Sequence, residues 1–151
     1  IDHTARSSFI GFSSEHGFSD LVRAVVEGLG FAARDCYAVM GALPGEVSFT
    51  GGAARSDVLR GIFSAILGVP VRHSQREEAG AAGAAMIAAV SIGVYDTMAD
   101  CQADWVSPRL GASEPPDRDL VDQYDALFEQ YQASRKSLQP IWQGLAQRKE
   151  S

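Results

Sequence analysis

Cysteine is scarce in this chain. Cys36 and Cys101 are the only two among 151 residues, which excludes a disulfide framework, and neither lies in a CxxC or Cys/His spacing that could hold zinc. Both are expected to be buried thiols in a reducing cytosol, which makes the expected location cytoplasmic. Positive charge is also short: 13 Lys and Arg face 19 Asp and Glu, a net charge of -6. That balance excludes a broad phosphate-backbone surface, so nucleic acid is not an expected partner. Long hydrophobic runs are missing too. The most apolar stretch, residues 79–94, is mostly Ala and Gly, too short and too mild to cross a bilayer, and no signal peptide precedes it. No membrane contact is expected. His3, His16 and His73 share no spacing that suggests a metal site and read as isolated surface or loop residues.

What is present reads as an ordinary globular domain. Apolar residues make up 46% and charged residues 21%, and a chain of this length buries roughly two thirds of its unfolded surface. It opens at Ile1 without an initiator Met, in a segment without the character of a domain start, which suggests a fragment.

Helical and strand signals alternate. Leu21, Val25, Leu29, Ala32, Cys36 and Val39 recur at helical spacing, predicting a helix from Ser19 to about Ala42 with Ser19 as cap and an Arg23–Glu27 pair. Gly28 and Gly30 in its interior point to close packing of a neighbour. Short strands are predicted at Glu46–Thr50 and Val69–His73, joined by a helix over Asp57–Leu67 that stops at Gly68. A third helix covers about Glu77 to Ile92, and a short one capped by Asp96 runs to Asp104. After the turn-rich VSPRLGASEPPD comes a long amphipathic helix marked by Leu120, Tyr124, Leu127, Tyr131 and Leu138, which Pro140 should kink or split. This is an α/β pattern with parallel strands and the second helix as crossover. Two strands make a poor sheet, so the sheet should be truncated.

The stretch VSFTGGAARSDVLRGIF raises the functional question, because a strand ends on two adjacent glycines just before a helix. Ligands in open α/β sheets bind at the carboxyl ends of strands, where Thr50, Gly51, Gly52, Ala53 and Ala54 lie. No GK[ST] follows and no GxGxxG is present, so neither a Walker loop nor a dinucleotide fingerprint is at hand. Ser56 is placed to cap the helix, and Asp57 in its first turn occupies the positive end of the dipole, which favours an uncharged nucleoside over a phosphate. The alternative is a tight strand-to-helix turn with no ligand.

Together, SFTGGAARSDVLRGIFSAILGVPV, REEAGAAGAAMIAAVSIGVYD and the upstream ARSSFIGF and DLVRAVVEGLGFAARD resemble the C-terminal ATPase domain of FGGY carbohydrate kinases, over about Ala5 to Asp96. The resemblance implies an actin/hexokinase-like (ribonuclease H-like) ATPase fold, with residues 1–110 as the domain, incomplete at its N-terminus, and 111–151 as a helix packing on or extending from it. It implies that the glycine loop is the adenosine motif: Gly51, Gly52 and Ala53 line the nucleoside, with Arg55 or Ser56 at its edge. Ala53 stands where a third glycine is commoner. ATP and Mg²⁺ are the implied cofactors, a ketopentose or polyol the implied acceptor, tilted toward xylulokinase- or erythritol kinase-like chemistry. The catalytic base and first phosphate loop belong to a preceding domain, so no catalytic residue and no metal ligand is expected in this chain.

Glu77 and Glu78 read as dipole-favouring acids at the start of the third helix, or, by the resemblance, Glu78 as an ordering residue of the loop facing the cleft. The small residues Gly80, Ala81, Gly83, Ala84, Ala85, Ala88 and Ala89 would allow close approach of another element. Trp105, Trp142, Tyr124 and Tyr131 read as core or interface aromatics, and Arg109 as solvated. Two other classes stay open: another actin-like ATPase, and a noncatalytic interaction module or homodimer built on the C-terminal helix.

Overall fold

The computed structural model describes residues 3–76 and 78–147. The elements run α1 (Phe18–Met40), β1 (Val47–Phe49), α2 (Asp57–Leu67), β2 (Val71–His73), α3 (Ala79–Ser91), α4 (Met98–Trp105) and α5 (Arg118–Gln147), with 3-10 turns at Gly52–Arg55 and Ser107–Arg109. The α/β alternation is as predicted. β1 and β2 pair in parallel, Val47 beside Val71 and Phe49 beside His73, with α2 as the connection between them.

Local chemistry sets the boundaries. Ser56 Oγ accepts from the Leu59 N–H at 3.3 Å and starts α2, and Gly68, at φ +68°, ends it. α1 begins one step earlier than predicted: Gly17 is the N-cap, its N–H donating to Asp20 Oδ2 at 2.7 Å, while Ser19 lies inside the helix. Thr97, not Asp96, caps α4, accepting from the Asp100 N–H at 3.2 Å. α3 starts at Ala79, so Glu78 is its N-cap residue without a side-chain cap bond, and Glu77 lies outside the described residues. α5 is not split; the helix continues through Pro140.

The core lies between α1, α2 and α5, where Phe31, Ala65, Ile66, Val121, Tyr124 and Phe128 form one buried cluster. Phe31 meets Tyr124 edge-on with ring centroids 5.9 Å apart, a geometry that adds to area burial. Around it runs a polar seam. Arg34 lies 4.5 Å over the Phe128 ring, pairs with Asp125 at 2.6 Å and donates to the Ile66 carbonyl at 3.0 Å. The expected Arg23–Glu27 pair is present at 2.7 Å, and Tyr124 Oη joins it, donating to Glu27 at 2.8 Å. Burial is the largest cause that pushes the Tyr124 phenol above its ordinary range, with the Glu27 bond next.

The predicted inner face of α1 is corrected by the structure. Val25, Leu29 and Val39 are exposed, as is Cys36, whereas Gly30 and Phe31 are buried. α1 carries apolar residues on two sides, and periodicity could not choose between them; the side holding the large aromatic ring packed. Gly30 meets a neighbour as predicted, since a Cβ there would lie 2.6 Å from Ile66 Cδ1, but Gly28 faces open space. Of the two cysteines only Cys101 is buried. No helix among the described residues is long and apolar enough to cross a membrane.

Residues 109–114 add a third, irregular ribbon. Val71 and Glu114 exchange both backbone bonds, at 3.0 and 2.8 Å, and the Gly111 N–H donates to the His73 carbonyl at 2.9 Å. β2 therefore has β1 on one side and this connector on the other.

Candidate functional site: the glycine corner

β1 ends at Phe49 and the chain turns at Gly51, whose φ of +81° lies in the left-handed region open chiefly to glycine. The Ala54 N–H donates to the Gly51 carbonyl at 3.1 Å, closing the 3-10 turn before Ser56 starts α2. Gly52 is different. Its φ is not positive, and a Cβ added there would meet nothing within 4 Å. The turn requires glycine at 51; nothing among the described residues requires it at 52.

Facing the corner is a cavity of about 340 Å³, lined by Gly51, Gly52, Ala54 and Arg55, by Asp57 and Arg60 from the start of α2, and by 73–76 after β2. It lies at the carboxyl ends of both parallel strands. Of the predicted site residues, Gly51, Gly52 and Arg55 line it, Ser56 serves as the helix cap behind it, and Ala53 lies in the 3-10 turn. Within the cavity wall, Arg76 Nη2 donates to the Trp105 carbonyl at 2.7 Å, tying the segment after β2 to the end of α4.

Sequence reasoning missed the residue that holds the corner together. Arg60 is 7% exposed. Its Nη1 donates to the Ala54 carbonyl at 2.6 Å, its Nε to both Glu114 oxygens at 3.0 and 2.9 Å, and its Nη2 to Asp57 Oδ1 at 2.8 Å and Glu114 Oε1 at 2.8 Å. A charge buried to this degree is tolerable only when paired and hydrogen-bonded. The Arg60 bonds hold the Glu114 carboxyl below the ordinary range, outweighing partial burial, and the same bonds raise the guanidinium further above neutrality. The Asp57 arm is weak by comparison, because that carboxylate is 90% exposed and screened by water. Sequence alone assigns Arg60 no role, and no local signal links it to Glu114.

His73 is the last residue of β2, inside the strand predicted at Val69–His73. Its ring packs on Gly111, where a Cβ would lie 2.6 Å from Cε1, and its buried Nδ1 is 3.7 Å from Glu114 Oε1, too long for a hydrogen bond. Among the described residues no group of three or more His, Cys, Asp or Glu could hold a metal ion.

Residues 1–92 match the C-terminal domain of the FGGY family of carbohydrate kinases. The chain belongs to that family. It is 58% identical over 146 residues to an erythritol kinase of Brucella abortus (strain 2308), an alignment covering 97% of this chain and 28% of the relative. The fold is that of a ligand-bound xylulose kinase from Lactobacillus acidophilus, with a TM-score of 0.83 at 24% identity, covering 95% of this chain and 29% of that one. A xylulose kinase from Rhodospirillum rubrum superposes with a TM-score of 0.76 at 31% identity, covering 92% and 28%. The actin/hexokinase-like FGGY fold expected from the sequence is the one found, and the reading as a different actin-like ATPase falls away. The chain spans under a third of the length of these relatives.

Proposed function

We propose that this chain is the nucleotide side of an FGGY carbohydrate kinase, seating the adenosine of ATP against the glycine corner while a longer protein transfers the γ-phosphate to a hydroxyl of a polyol or ketopentose. The identity with an erythritol kinase favours a polyol. Gly51, Gly52 and Ala53 line the nucleoside, with Arg55 and Ser56 at its edge. The observation that carries the reading is Gly52: the backbone does not need glycine there, yet the space beside it is open toward the cavity. A side-chain-free surface lets a flat ligand approach the main chain closely.

Phosphoryl transfer is chiefly positioning and charge neutralisation around an in-line displacement. This chain's part is to bind and orient the nucleoside and to keep water from that side of the cleft. It supplies no catalytic base. Mg²⁺, when bound with the phosphates, would neutralise their charge. Residues 1–110 are the ATPase segment, and 111–151 a second segment whose connector pairs with β2 and whose helix α5 packs on α1 and α2. The protein works in the cytoplasm, without nucleic acid or membrane. Exposed Val25, Leu29 and Val39 on α1 form a contact face for the rest of the kinase or for a homodimer.

The test is Gly52→Val in the full-length kinase. It should raise KM for ATP by roughly tenfold or more, leave KM for the acceptor little changed, and leave the melting temperature near wild type, since a Cβ there meets none of the described residues. Equal changes in both KM values, or none, would count against the assignment. The 151-residue chain alone should show nucleotide binding without turnover.

A further inference from the structure

We infer that Arg60 and Glu114 are the positioning pair of the nucleoside seat, with Arg60 in the cavity wall and Glu114 beside it holding the glycine corner in register with β2. The inference rests on the corner being that seat. Arg60 reaches three separate parts of the chain with one planar group: the Ala54 carbonyl inside the 3-10 turn, the first turn of α2 through Asp57, and the connector through Glu114. Glu114 is itself fixed to β2 by its two backbone bonds with Val71. The chain from β1 into the corner is thus tied, through two side chains, to the neighbouring strand whose end forms the other cavity wall.

Two features separate this from a generic buried ion pair. The bond to the Ala54 carbonyl orients the peptide plane beside the residues that line the cavity, so loss of the bond frees those peptides and not only the helix. The pairing also needs the fork of arginine, because a lysine ammonium at the same place has one nitrogen and cannot span the Ala54 carbonyl and both Glu114 oxygens. Neither residue needs to touch nucleotide. Both act through the backbone they hold.

Arg60→Lys, Glu114→Gln and a control, Phe128→Leu in the α5 core, would be compared in the 151-residue chain by thermal melting, amide hydrogen exchange and ADP titration calorimetry. Arg60→Lys should speed exchange of the Ala54 amide roughly tenfold and weaken ADP binding by a similar factor. Phe128→Leu, lowering the melting temperature comparably, should do neither. Glu114→Gln, which keeps shape and acceptor, should fall between, and it decides the matter if Arg60→Lys does not fold. Local exchange and ADP affinity that track melting temperature equally in all variants would overturn the positioning role. If wild type binds no ADP, the nucleoside reading fails, and the exchange data still decide whether the pair orders the corner.

Discussion

α1 and α3 both carry two glycines in their interiors, and the two helices have opposite fates. In α1, Gly30 lies against Ile66 of α2 and Phe31 beside it enters the core, while in α3 both Gly80 and Gly83 face open space and only Met86 and Ala89 are buried. The glycine count is the same; the surrounding residues and the partners differ. α3 is small on nearly every face, so it offers no one-sided apolar stripe, and among the described residues nothing fills the room its glycines leave. Small residues permit close packing but do not create it. A large neighbour, here Phe31, anchors one helix and is missing from the other.

The contrast can be broken most severely at its anchor. Phe31→Ala should destabilise the chain by about 3–5 kcal/mol through lost burial and a cavity among Tyr124, Phe128 and Tyr131, read from urea unfolding; a cost below that of an ordinary surface change would show that α1 is not held there. Gly30→Val is next. Its Cβ would press on Ile66, and overpacking of about 1–3 kcal/mol should exceed the gain in helix propensity. The matching change in α3, Gly83→Ala, meets nothing and should stabilise by up to about 1 kcal/mol; destabilisation there would reveal a contact that the isolated chain lacks. The smallest effect is a pH dependence. Glu114 has a lowered folded pKa, so its contribution is complete above the unfolded glutamate value and is lost as pH falls through the folded one. Melts of wild type across acid pH should show a loss of stability that Glu114→Gln does not show.

Much of the fold was legible because short-range chemistry decides it. α2 begins and ends where Ser56 and Gly68 predicted, and β1 and β2 fall inside their predicted spans. The corner was legible for the same reason, since a glycine pair between a strand and a capped helix is a local signal. Apart from caps displaced by one or two residues at α1 and α4, the misses arose where a residue's partner is distant in sequence. Val25 and Leu29 fit a core stripe by spacing alone, but the opposite side of α1 carries Phe31, and only the arrival of α5 decided which side was covered. The connector read as a loop because its pairing with β2 depends on bonds to Val71 and His73, not on its own composition.

Sequence by itself therefore determined the order of elements, the ends of α2 and the glycine corner, which depend on residues within a few positions of one another, and, through several segments in a fixed order, the family. Tertiary structure decided which face of α1 is buried, why glycine is needed at 51 and spare at 52, and that Arg60 meets Glu114 across 54 positions. The reason is physical: backbone conformation and capping are set by neighbours along the chain, whereas burial and charge pairing depend on groups that only folding brings together.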